Sequence, residues 1–144
     1  MDEENGEDKC QEYLDGWKRA LADYENLKKD LPRERAEQRQ YLAYDLASEL
    51  MPALDSFELA MKHLPNDGWT KGFQAVQSQF VSALQKIGVE RFGAIGEVFD
   101  PTLHESLGER SEPASEPNTI VEVLQPGWRI EHLIIRPAKV IINN

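Results

Sequence analysis

The 144-residue sequence contains a single cysteine, Cys10, so it can neither close an internal disulfide nor build a cysteine-rich zinc site. It has no apolar stretch approaching the roughly 20 residues needed to cross a bilayer. Its first residues, Met1-Asp2-Glu3-Glu4, are acidic where a signal or transit peptide would be basic. A cytoplasmic protein with no membrane association is the expectation. Positive charge is also scarce. Sixteen Lys and Arg against 26 Asp and Glu leave a formal net charge of −10, a field that opposes phosphate contact and argues against nucleic acid as a partner. Glycine-rich phosphate loops and the nucleophile elbow are missing too, and His104-Glu105-Ser106-Leu107-Gly108 lacks the second histidine of a zinc protease helix.

The remaining candidates for chemistry are sparse. His63, His104 and His132 fall in three separate segments, and Cys10 sits among acidic residues, surroundings that do not activate a thiol. For His104 the expected role is a hydrogen bond within the turn started by Asp100, not metal ligation. No catalytic residue, metal or cofactor is expected, and a binding protein is favoured over an enzyme.

The chain divides by pattern. Residues 1–16 hold seven acids against Lys9, and residues 1–12 are expected to form a disordered acidic arm. Leu14, Trp17, Leu21, Tyr24, Lys28 and Leu31 then recur at alternating steps of three and four, the seam of a helix that pairs with another. This predicts a coiled-coil stalk over 13–50, kinked or broken near Pro32, where proline deletes a helical hydrogen bond. Lys28, Lys29, Arg33, Arg35 and Arg39, interleaved with acids, read as a solvated face with local ion pairs or as a partner-binding stripe.

Residues 51–88 predict a helical hairpin. Ala43, Leu46, Leu50, Ala53, Phe57, Ala60 and Leu64 form one stripe, widened by Ala47, Leu54 and Met61. Pro52 marks a joint, and Asp55 followed by Glu58 has the spacing of a capping box that could restart the helix. Leu64-Pro65-Asn66-Asp67-Gly68 reads as a turn. Trp69, Phe73, Val76, Phe80 and Ile87 form a second stripe, closed by Gly88 as a C-terminal cap. Two such hairpins would join as a dimeric four-helix bundle, with Leu46, Leu50, Leu54, Phe57, Phe73 and Phe80 at the interface between copies.

Residues 89–144 change character. A short strand over Val89 to Phe92, a helical turn begun by Asp100-Pro101, a loop from Ser111 to Asn118, and branched runs at Ile120–Leu124 and Leu133–Ile142 around a Pro126-Gly127 turn predict a small all-β domain. Trp128 is expected to pack inward and brace the strands beside that turn. The fold class is α+β.

Blocks of these residues resemble the GrpE family of nucleotide exchange factors. They are Phe99-Asp-Pro-Thr-Leu-His-Glu105, Val121-Glu-Val-Leu-Gln125, Gly127-Trp128 and Ile135-Arg-Pro-Ala-Lys-Val140, with Tyr24-Glu-Asn-Leu-Lys28, Glu49-Leu-Met-Pro-Ala-Leu-Asp-Ser56, Gly72 and Lys86-Ile-Gly-Val-Glu90 upstream in the same order. The resemblance implies a homodimer with a paired-helix stalk, a four-helix bundle and one β domain per subunit. It also implies a co-chaperone that binds and opens the nucleotide-binding domain of a DnaK-type chaperone, so that ADP leaves. By matched position it implies chaperone contacts at Leu124, Arg136 and Ile142 in the β domain and at Lys28 and Lys29 in the stalk. The sequence departs from the family at Ser106, Trp128 and His132-Leu133. Leu133 cannot make the charge-assisted contact of a family arginine, which leaves more to Arg136 and the apolar surface. The alternative is a coiled-coil adaptor of the same fold without exchange activity.

Overall fold

The structure, a computed structural model, describes residues 2–65 and 68–144, with side chains from Gly6 onward. The chain forms two compact units, Met1–Arg39 and Gln40–Asn144. Its first element, α1, spans Asp2–Lys62, and α2 spans Gly68–Lys86.

Two expectations for α1 are corrected. The arm at 1–12 is helical from Asp2. It contains no proline or β-branched residue to oppose a helix. Of the kink or break expected near Pro32, the break is absent: the helix runs on through Pro32 and Pro52. Each proline removes one backbone donor, but the hydrogen bonds of neighbouring turns carry the helix past it. Ser56 Oγ, one turn beyond Pro52, donates back to the Pro52 carbonyl at 3.0 Å. In the first unit Arg33 Nε donates to Glu37 Oε1 at 3.0 Å, an exposed i,i+4 pair within the basic cluster. Trp17 and Tyr24 of the stalk seam are exposed in the single chain.

Within the second unit, Leu64 and Pro65 follow α1, while Asn66 and Asp67 of the expected turn lie outside the described residues. α2 ends as its sequence predicts: Gly88 takes a left-handed φ of 87° and its N–H donates to the Gln85 carbonyl at 3.0 Å.

Six strands follow: β1 Val89–Phe92, β2 His104–Arg110, β3 Ile120–Gln125, β4 Gly127–Ile130, β5 Leu133–Arg136 and β6 Ala138–Asn143. They make two three-stranded sheets, ordered β1-β4-β5 and β2-β6-β3. All pairings are antiparallel except β2 with β6. Pro126-Gly127 does not close a hairpin, because β3 and β4 belong to different sheets; the chain changes sheet there, and again at Pro137 between β5 and β6. Proline suits both crossings, since a residue leaving one ladder for another has no cross-strand partner for an N–H. The hairpin lies instead between β4 and β5, whose two-residue loop has Glu131 at a φ of 50°. Asp100-Pro101 begins a hydrogen-bonded turn and not a helix, with Thr102 donating both its N–H and its hydroxyl to Asp100 Oδ1. Asn143 is buried and holds the 111–118 loop, accepting from the Glu112 N–H at 2.7 Å and donating to the Ser115 carbonyl at 2.8 Å.

One core joins the helices to the first sheet: Ala47, Met51 and Leu54 of α1, Leu84 of α2, Val89 of β1, and Trp128 and Ile130 of β4. Trp128 is fully buried, and removing an aromatic side chain of this size from water is worth about 4–6 kcal/mol at about 25 cal/mol per Å². A second, smaller core is built from Ile120, Ala138 and Val140, with Phe92, Phe99, Val123 and Ile142 packed against it.

Candidate partner-binding site

The helix and both sheets meet at Asp55. Leu54 turns into the core, so its neighbour Asp55 sits at the edge of the α1 face that meets the strands. Arg136, the last residue of β5, directs its guanidinium at this carboxylate: Nη2 donates to Oδ1 at 2.7 Å and Nη1 donates to Oδ2. Gln125, the last residue of β3, donates its amide to Oδ2 at 2.9 Å, and Arg136 Nε donates to the Pro126 carbonyl at 3.0 Å. One carboxylate thus joins α1 to a strand of each sheet and, through Arg136, to the link between the sheets. Hydrogen bonding from Arg136 is the largest influence on the Asp55 carboxyl and, with the charge of Arg136, outweighs burial to hold it below its ordinary value. The arrangement depends on Gly127, where an added Cβ would lie 2.8 Å from the Ala138 nitrogen and 2.5 Å from Phe92 Cε2.

Glu58, one turn further along α1, makes a second tie. Its Oε1 accepts from Gln77 of α2 at 2.9 Å and from Arg91 of β1 at 3.2 Å. Arg91 in turn lies over the Trp128 ring, 6.0 Å from its centroid. Asp55 and Glu58 therefore do not restart the helix as a capping box. Three residues apart, they share a face of a continuous helix and fasten it to the β module.

A hollow of about 300 Å³ opens beside these ties, lined by Leu59 and Lys62 of α1, Leu124 and Gln125 of β3, Pro126, and Lys139 of β6, together with Asp55 and Glu58. A second, of about 280 Å³, shares Glu58 and Lys62 and adds Met61, Gln77 and Arg91.

The residues singled out in the sequence take different places. Leu124 is 45% exposed on β3 and lines the first hollow. Arg136 is neither a free surface cation nor an open fork, since its guanidinium is occupied by Asp55 and its side chain is only 17% exposed. Ile142 on β6 is half-buried against the smaller core. Lys28 and Lys29 are exposed on the part of α1 that belongs to the first unit. Among the expected interface residues, Leu54 is corrected: it is buried within the single chain by Met51, Leu84 and their neighbours. Leu46 and Phe73 are exposed, while Leu50, Phe57 and Phe80 are half-buried. Phe57 and Phe73 meet as a tilted pair with centroids 5.9 Å apart. A hollow of about 210 Å³ between α1 and α2 is lined by Ala53, Leu54, Phe57, Val76, Gln77 and Phe80. His104 accepts the Asp100 N–H on Nδ1 at 3.0 Å, as its turn suggested.

Asp55, Glu58, Arg91 and Gln125 were not singled out as site residues in the sequence. The available signal was two acids three residues apart on the flank of an apolar stripe, and an arginine inside the branched run of Leu133 to Ile142.

The family model described as GrpE matches residues 2–144. Protein GrpE of Parageobacillus thermoglucosidasius is 38% identical over 141 residues, covering 95% of this chain and 63% of the relative. Protein GrpE of Geobacillus kaustophilus (strain HTA426) is 38% identical over 129 residues, covering 87% and 61%. Protein GrpE of Legionella pneumophila (strain Corby) is 34% identical over 140 residues, covering 95% and 70%. The chain thus spans about three-fifths of the length of the first two relatives.

Proposed function

The chain belongs to the GrpE family, and from that premise we propose that it is a cytoplasmic co-chaperone that accelerates ADP release from a DnaK-type chaperone. The observation that carries the reading is the fastening of the β module to α1 through Asp55, Arg136 and Gln125. A module that pushes a partner's subdomain outward must itself resist displacement, and a bidentate ion pair with a further amide donor supplies that resistance at the base of β3 and β5. The partner would be met by the surface around Leu124. Arg136 acts behind it as a positioning residue, and Lys28 and Lys29 offer a separate basic contact.

Exchange in this reading breaks no bond and needs no cofactor. The chain binds the open form of the nucleotide-binding domain more tightly than the closed form and shifts the population accordingly. Turning a 1:99 equilibrium into 99:1 takes about 10⁴-fold differential affinity, or about 5.5 kcal/mol. The acting species is a homodimer. Its support is the apolar surface that one copy leaves open at Leu46 and Phe73, with the apolar hollow between α1 and α2. The test follows release of a fluorescent ADP analogue from the chaperone at substoichiometric amounts of this protein. Acceleration is expected; an unchanged rate with intact binding would assign the chain to structural adaptors instead.

A further inference from the structure

We propose that the groove made by the hollow at Leu124 and the neighbouring hollow that shares Glu58 and Lys62 with it takes an acidic, partly apolar segment of the partner chaperone, selected by Lys62 and Lys139. The proposal rests on the exchange-factor reading and specifies the chemistry that the partner must present.

The groove contains charges of both signs, but they are not equally available. Its acids are used within the chain: both oxygens of Asp55 accept from Arg136 and Gln125, and Glu58 accepts from Gln77 and Arg91. Its lysines are not. Among the described residues neither Lys62 nor Lys139 has a carboxylate within ion-pair distance, although Glu105 stands opposite Lys139 in the β2–β6 register. On a chain with a net charge of −10, the groove therefore offers two uncommitted ammonium groups. Lys62, like Glu58, lines both hollows. Its place in the last turn of α1 also suits the helix dipole, but Lys139 is on a strand and has no such reason.

The apolar half of the recognition comes from Leu59 and Leu124, 58% and 45% exposed. A purely apolar occupant would cover these leucines only by desolvating two unpaired cations, which is unfavourable. A segment that places Asp or Glu beside an apolar side chain satisfies both halves.

The experiment uses the full chain and its cognate DnaK-type chaperone. A carbodiimide, which joins an amine to a carboxylate without a spacer, should couple Lys62 or Lys139 to the chaperone, as read by mass spectrometry. The paired variant Lys62→Gln/Lys139→Gln should bind about tenfold more weakly and with a shallower salt dependence, at an unchanged melting profile. Wild-type binding with no cross-link from either lysine, together with unaltered affinity and salt slope in the variant, would overturn the groove while leaving the exchange reading intact. Cross-links only to carboxylates of a second copy of this chain would overturn it in favour of self-association. Failure of the wild type to bind at all would overturn both. Should the variant misfold, the cross-linking of the wild type decides.

Discussion

Replacing Arg136 with alanine removes both bonds to Asp55 and the bond to the Pro126 carbonyl, and leaves a carboxylate without its cation. Hydrogen bonds to charged groups are each worth about 1.5–3 kcal/mol, but these share one guanidinium and do not add. Breaking a fully buried pair costs about 3–5 kcal/mol. Here the side chains are 17% and 29% exposed, so water partly restores the solvation of Asp55, and a loss of about 2–3 kcal/mol is expected. Asp55→Ala should cost a comparable amount, and the double variant should fall short of the sum by about 1–2 kcal/mol, the coupling of the pair. Urea unfolding at fixed protomer concentration measures this, with tryptophan emission as the probe. Trp17 and Trp69 are exposed and Trp128 is fully buried, so a change on unfolding reports on the β4 core.

The pH dependence has a definite sign. The folded Asp55 carboxyl is held below its ordinary value of 3.8 by Arg136. Its contribution is complete above that ordinary value and is lost as pH falls through the lower folded value. Wild type and Asp55→Ala should therefore differ at pH 7 and converge on acidification below about pH 4. Additive single effects, or a stability gap that does not change on acidification, would refute the role given to the pair.

Trp128→Ala should destabilise the second unit by about 3–5 kcal/mol and abolish its near-ultraviolet circular dichroism. Gly127→Ala, which drives a Cβ against Phe92 and the Ala138 backbone, should lower the free energy of urea unfolding by more than the about 0.5–1 kcal/mol ordinarily associated with glycine and alanine exchanges. Phe73→Asp places a charge on the half of the helix pair proposed to meet a second copy, and sedimentation should show loss of the dimer. Pro32→Ala restores a backbone donor in an exposed stretch of α1. It should raise the helical melting of that segment, worth up to about 3 kcal/mol, as seen by far-ultraviolet circular dichroism.

Local signals were legible where one segment contains its own explanation. The stripe from Phe73 to Ile87 with Gly88 after it, the branched runs at Ile120 and Leu133, and the inward Trp128 each follow from periodicity or turn chemistry within a few residues. Long-range commitments were not legible. Asp55 and Arg136 lie 81 residues apart, and nothing in the spacing of Asp55 and Glu58 distinguishes a helix start from a pair of anchors. β2, His-Glu-Ser-Leu-Gly-Glu-Arg, has no apolar alternation because it lies at a sheet edge beside β6; its strand character comes from its partner. Pro126-Gly127 has hairpin chemistry, yet tertiary pairing makes it a crossing between sheets. At Pro32 the local helix-breaking preference loses to the continuous helix on either side.

If the chain acts by preferring one conformation of its partner, its affinity for the nucleotide-binding domain of the chaperone, taken with and without ADP, reads that preference directly. Linkage requires that any preference appear reciprocally as a loss of ADP affinity by the same factor. Binding at least about tenfold tighter to the nucleotide-free domain, about 1.4 kcal/mol or more, is expected, with a matching weakening of ADP. Equal affinities for the two forms, with ADP binding undisturbed, would contradict it.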